Sequence, residues 1–356
     1  MIIAGTVFFP TTLFSAEKSA EQVMERAAEK IAEKAEQVAS EEAELIAQRP
    51  GERRGPTKVY FSIFVIDIDD VDEANQSFTA NIYVRLRWMD ERLESPDDPA
   101  RRLRLGRIWN PRIVLVNLQG PLFKSMPDVV NVSPDGSVIY HQRYTVQLSQ
   151  PLNLYEFPRD THSFTIHFAA ADYTNDELKF LPDLHRSVKG GSISDTLSLP
   201  DWKVVSHDAL ALSYSPVDEV DTPGFAFRFV AERYVNYYIW QVILPLIVVV
   251  VMSWAAFWVG KENVSIRIGV ATSSILTLIA QRFVFASLLP RLPYMTRLDF
   301  FTVGSTLLVF VALMLVILTS FLVREEHDSL VHKIDNAARV TFPLIFLAMI
   351  GWFFYG

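Results

Sequence analysis

Six residues between Ile266 and Leu289 stand out by type and spacing: Gly269, Ser273, Leu276, Ala280, Phe283 and Ser287, separated by 4, 3, 4, 3 and 4 positions. Residues at those intervals share one face of a helix. The segment is otherwise apolar, so a stripe carrying glycine, serine and alanine has no reason to face lipid. It meets either a packed helix or water. Facing water, its chemistry is the passage of ions along a narrow path. Constellations for bond-making are absent. The seven histidines are dispersed, with no His-x-x-x-His, no Gly-x-Ser-x-Gly and no phosphate loop. With no cysteine there is neither a thiolate nucleophile nor a disulfide. The chain does not read as an enzyme. His162 and His167, five apart on a strand, face opposite sides and read as satisfied structural histidines. The run Asp67-Ile-Asp69-Asp70-Val-Asp72-Glu73 is either a solvated acidic turn or a Ca²⁺ site at Asp69, Asp72 and Glu73. No cofactor is expected.

The elements that would position the stripe follow from composition. The 356 residues carry 33 Lys+Arg against 41 Asp+Glu, a net charge of −8 that disfavours nucleic acid as a partner. Met1 to Ala16 is apolar and ends Leu-Phe-Ser-Ala, which reads as a signal peptide without its basic n-region, or as an apolar tail. Residues 17–56 make an Ala/Glu/Lys-rich helix and a Pro/Gly-rich linker. Met24, Ala28, Ile31, Ala35, Val38 and Leu45 fit a heptad frame, so the helix is either a coiled coil or a single solvated helix. Residues 57–233 alternate β-branched and aromatic runs with turns such as Pro134-Asp135-Gly136 and Lys189-Gly190-Gly191, the pattern of a β-sandwich. Residues 234–356 then turn apolar. Val235–Gly260 has 26 residues without a charge, Phe300–Val323 has 24 and Val340–Gly356 has 17. With the striped segment these make four membrane spans, at about 236–259, 266–288, 298–323 and 337–355. Lys261, Arg267, Arg324, Lys333 and Arg339 sit on or beside the first and third connectors, which places those connectors inside and the sandwich outside.

Short motifs carry a resemblance from about Tyr60 onward. Trp88-Met-Asp90, Trp109-Asn-Pro111, Ser133-Pro-Asp-Gly136, Phe157-Pro-Arg-Asp160, Glu232-Arg233, Pro245, Leu289-Pro290…Pro293-Tyr294 and Ala338-Arg339-Val-Thr-Phe342-Pro343 follow one another in order. In this order they resemble the pentameric ligand-gated ion channels, the Cys-loop receptor superfamily, in its bacterial branch, where the signature loop lacks its flanking cysteines.

The resemblance implies an immunoglobulin-like extracellular sandwich, a four-helix transmembrane bundle and a homopentamer around a central pore in a bacterial inner membrane, with the β-domain in the periplasm. It implies that Gly269 and Ser273 line the inner half of the pore, that Leu276 forms a ring able to close by dewetting, and that Phe283 forms a wider one. Glu262 is the selectivity candidate, because Ser265 and Ile266 stand where cation-selective relatives carry a carboxylate. With 25 acids against 18 bases between Thr57 and Arg233, cations are favoured. Arg282, inside the span, would snorkel outward or pair with an acid such as Asp299. Coupling is assigned to Asp160 and Arg233, near Asp70, Asp72, Pro290, Pro293 and Tyr294. Tyr173, Tyr214 and Arg143 are ligand candidates, for a small extracellular molecule, a proton or a divalent ion. The alternative is a non-conducting, membrane-anchored sensor or scaffold with the same fold.

Overall fold

The computed structural model describes residues 47–51, 55–184, 190–215, 221–286 and 292–355, together with positions 29, 30, 32–34 and 36. The signal-peptide expectation for 1–16 and every heptad position named above lie outside the described residues.

Among the described residues twelve strands form two sheets. They are β1 (Thr57–Asp72), β2 (Ser77–Met89), β3 (Arg101–Arg104), β4 (Ile113–Leu115), β5 (Phe123–Lys124), β6 (Val129–Val132), β7 (Ser137–Ser149), β8 (Thr161–Ala170), β9 (Leu178–Pro182), β10 (Gly191–Ile193), β11 (Trp202–Tyr214) and β12 (Thr222–Arg233). One sheet runs β10-β1-β2-β7-β6-β3, with β9 also on β1 and β5 on β7; the other runs β11-β12-β8-β4. Alternation fixes what lies between them. Ala80, Ile82, Val84 and Leu86 of β2 point inward and are buried, as are Phe164, Ile166 and Phe168 of β8 and Phe225, Phe227 and Phe229 of β12. The phenylalanines pack directly: Phe61 on Phe225 at 4.4 Å and Phe164 on Phe229 at 5.0 Å between centroids. Each buried side chain of this size contributes about 1.5–3 kcal/mol, which is how the sandwich stands without disulfides.

The motifs singled out in the sequence converge here. Trp88 meets Trp109 edge to face at 5.8 Å, and the Trp109 indole N–H donates to the Tyr173 hydroxyl at 2.8 Å. The Asp90 amide donates to the Gly136 carbonyl at 3.0 Å, joining Trp-x-Asp to the Ser-Pro-Asp-Gly hairpin. Gly136 has φ +78, and a Cβ there would stand 2.6 Å from the Asp90 carbonyl oxygen, so turn geometry and close packing both demand glycine.

Among the described residues four helices long and apolar enough to cross a membrane follow: α1 (Asn236–Trp258), α2 (Val264–Phe283, with helix described to Ala286), α3 (Arg297–Arg324) and α4 (Asp328–Tyr355). The chain is thus a multi-pass membrane protein whose β-domain precedes its spans. α1 contains a π-helical turn at Ile239–Ile243 just before Pro245, and the Gln281 amide of α2 donates to the Val242 carbonyl in that turn at 3.3 Å. α3 opens on a capping box in which Thr296 and Asp299 satisfy each other's backbone amides.

One boundary needs correcting. The sequence places a connector at Arg324–Asn336, whereas α4 begins at Asp328. The charges that suggested a loop cost nothing on the exposed side of this first stretch, while Val331, Asp335 and Ala338 are buried on the other.

Candidate functional site

α2 has two opposed faces. Arg267, Ala271, Ser274 and Leu278 are buried against the bundle. Gly269, Ser273, Leu276, Ala280 and Phe283 are all exposed on the opposite side. Leu276 is 68% exposed and Phe283 76%, although both are large and apolar. A Cβ added at Gly269 would meet nothing within 4 Å, so that glycine serves no helix contact within the chain. Ser287 and Pro290 lie outside the described residues. Glu262 is exposed in the turn before α2, not on the helix. Arg282 is exposed, and its suggested partner Asp299 is committed to the α3 cap.

The second cluster lies where the sandwich meets the helices. Arg233, the last residue of β12, has its side chain 1% exposed. Its Nε donates to Asp160 Oδ1 at 2.9 Å and its Nη2 to Oδ2 at 3.1 Å, a bidentate pair. Nη1 donates to Glu73 Oε1 at 2.9 Å. The guanidinium lies 4.1 Å from the Trp202 ring centroid and 4.8 Å from that of Phe157. His162 Nε2 joins Asp160 Oδ2 at 2.8 Å. Burial by itself would raise the Asp160 carboxyl, but the His162 hydrogen bond and the bonds and charge of Arg233 outweigh it and hold the group below the ordinary carboxylate value. Burial likewise works against the Arg233 charge, and Asp160 reverses that effect, raising its pKa.

Around this hub the 151–160 loop grips the helices. The Leu154 amide donates to the Tyr294 hydroxyl at 3.0 Å, the Arg297 amide donates to the Tyr155 carbonyl at 2.9 Å, and Arg297 pairs with Glu156 at 2.7 Å. The Arg159 guanidinium donates to the Phe354 carbonyl at the end of α4. Pro293 is exposed in the same linker as Tyr294.

The acidic run behaves differently from expectation. Asp67 to Asp72 is the end of β1 and not a loop, its register on β2 shifts between Val65 and Asp67 and again between Ile68 and Asp70, and Glu73 lies in the turn that follows. Asp69 accepts from Asn81, Asp72 accepts from Asn75 and Glu73 holds Arg233. Asp69, Asp72 and Glu73 therefore do not converge, and among the described residues no group of three metal-ligating side chains does. Of the coupling residues, Asp70 and Asp72 stay out of the Arg233 cluster: Asp70 is exposed, and Asp72 closes its own turn with Asn75, which lowers its pKa. Glu73 and His162 take those places. His162 sits two residues beyond Asp160, an interval that strand alternation puts on the same face. His167 also departs from its reading as a satisfied histidine: its Nε2 is buried with no hydrogen-bond partner among the described residues, and burial lowers its pKa.

The ligand candidates divide between the sheets. Tyr214 packs edge to face on His167 at 5.1 Å. Asn175 bonds Ser213 at 2.8 Å and its amide donates to the Asp221 carbonyl at 3.1 Å, so the Tyr173 loop and the end of β11 are tied together. Arg143 is exposed on β7 of the other sheet, opposite Tyr83 on β2. Within one chain it does not meet the two tyrosines.

The model of the neurotransmitter-gated ion-channel ligand binding domain matches residues 46–233, more than half of the chain. The chain belongs to the neurotransmitter-gated ion-channel family. Membership makes it a ligand-gated channel and not an enzyme, and the four helices after the matched domain supply the membrane part.

Proposed function

We propose that the chain forms a homopentameric channel whose pore is lined by α2, with Gly269 and Ser273 toward the inner end, a closable ring at Leu276, Ala280 above it and a wider ring at Phe283. The carrying observation is the exposed stripe of α2, diametrically opposite the face that packs on the bundle. Five copies would turn these stripes to a common water path while every backbone bond stays within a helix. The exposed Ile268 and Ile279 beside the stripe would pack on neighbouring copies of α2. A ring of five Leu276 side chains is narrow and apolar enough to close by dewetting.

Ligand binding would occur between copies in the outer domain, with Tyr173 and Tyr214 from one and Arg143 from the next. This explains why the three do not meet within one chain. The Asp160–Arg233 pair with Glu73 and His162 would transmit the change through the 151–160 loop to Tyr294 and α3. The acidic balance of the β-domain favours cations, and the channel would sit in a bacterial inner membrane with its β-domain in the periplasm.

The test is Leu276→Ser in full-length protein reconstituted in planar bilayers. A hydroxyl in place of the isobutyl group wets the ring, so channels should open without added ligand. Unchanged gating, with normal assembly, contradicts the pore register. Reversal potentials in an NaCl gradient decide the ion.

A further inference from the structure

Arg267 is the one basic residue in the inner half of α2, and it is 0% exposed. Its position is electrostatically awkward. It lies in the first turns of a helix, where the backbone dipole already presents positive charge, and it is removed from water. A single carboxylate answers it: Nη2 donates to Asp335 Oδ1 of α4 at 2.6 Å. Nε and Nη1 are buried with no partner among the described residues. Asp335 is itself an anomaly, one acid among the apolar buried positions Val331, Ala338, Phe342 and Phe346 of α4. Two further contacts fix α4 at this level: Lys261 pairs with Asp328 at 2.7 Å, and Arg339 donates to the Phe257 carbonyl at 3.0 Å.

We propose that Asp335 is a positioning residue for ion selection, holding Arg267 on the bundle side of α2 so that its charge stays out of the inner mouth of the pore. The inference rests on α2 being the pore helix. Two positions separate Arg267 from Gly269, which sets it about 200° around the helix from the stripe. An arginine side chain is long, however, and lies close to the inner end of the helix. Released from Asp335, it extends to water at that end, where the mouth lies. Five such charges then repel entering cations and attract anions. With the pair intact, Glu262 is the exposed charge nearest in sequence to the inner end of α2.

The experiment measures reversal potentials in an NaCl gradient for full-length channels carrying Leu276→Ser as an open background. Asp335→Asn is expected to lower the Na⁺/Cl⁻ permeability ratio by about twofold or more, the scale of several unit charges acting within one Debye length. Arg267→Gln/Asp335→Asn is expected to keep the ratio of the background, because the charge it removes never faced the ions. A purely structural role for Asp335 would alter assembly or channel number and leave the reversal potential in place. An unchanged ratio in assembled Asp335→Asn overturns the inference. So does a raised cation preference in the double variant, which decides the matter even where Asp335→Asn does not assemble. A conducting background with either result leaves the pore reading intact, whereas a silent background across all variants sinks both.

Discussion

Among the described residues two arginines are buried, one at each end of the helical bundle, and they are held in opposite ways. Arg233 at the outer junction is saturated: a bidentate pair with Asp160, a third bond to Glu73 and an aromatic ring at each of Trp202 and Phe157. Arg267 at the inner end is held by one bond to Asp335, with two of its nitrogens unanswered among the described residues. Both charges are removed from water, so both need a counter-charge. The difference lies in what each arrangement can do. A saturated hub links strand, loop and helix, and any movement of one is felt by the others. A charge held at one point has its direction set by that point alone.

The sharpest way to break the comparison is Arg233→Met. It leaves Asp160 buried without its main partner and should cost about 3–5 kcal/mol of stability, seen in thermal unfolding of the solubilised protein. In copies that still reach the membrane it should abolish current, since the linkage through the 151–160 loop is gone. Acid should weaken the same hub. The Asp160 carboxyl is held low in the folded state, so its contribution is full above the unfolded value of about 3.9 and is lost as pH falls through the lower folded value. Unfolding followed from pH 6 downward should show this loss in the wild type and not in Asp160→Asn.

Smaller effects sharpen the contrast. Glu73 is on the rim, its side chain 24% exposed, and Glu73→Gln should cost no more than about 1 kcal/mol by the same unfolding measurement. The double change Arg267→Met/Asp335→Leu should be close to neutral in stability, because it removes both halves of an isolated pair. The matching change at Arg233 and Asp160 should not be neutral, because Glu73 and His162 would remain without their partners.

Much of this was legible in the sequence because it follows from periodicity. The 4-3-4-3 spacing marked the α2 stripe, and alternation marked the inward faces of the strands. The ordered motifs marked contacts that do form, such as Trp88 with Trp109 and Asp90 with Gly136. Charge density misled where it was read without alternation or helix phase. The acidic run suggests a turn although most of it ends a strand, and the stretch before Asn336 suggests a connector although its charges ride on a helix. The Arg267–Asp335 pair spans 68 positions, so no local rule reports it. The signal was the lone acid at a buried-phase position of α4.

The proposed pore requires α2 to face water. The chain has no cysteine, so a single introduced thiol is the only one to label. The most direct measurement compares Ser273→Cys with Ser274→Cys in reconstituted channels opened by Leu276→Ser, following block by a charged thiol reagent. Rapid, complete block at position 273 with none at 274 is the predicted result. Equal reaction at both positions, or reaction at 274 alone, would contradict it.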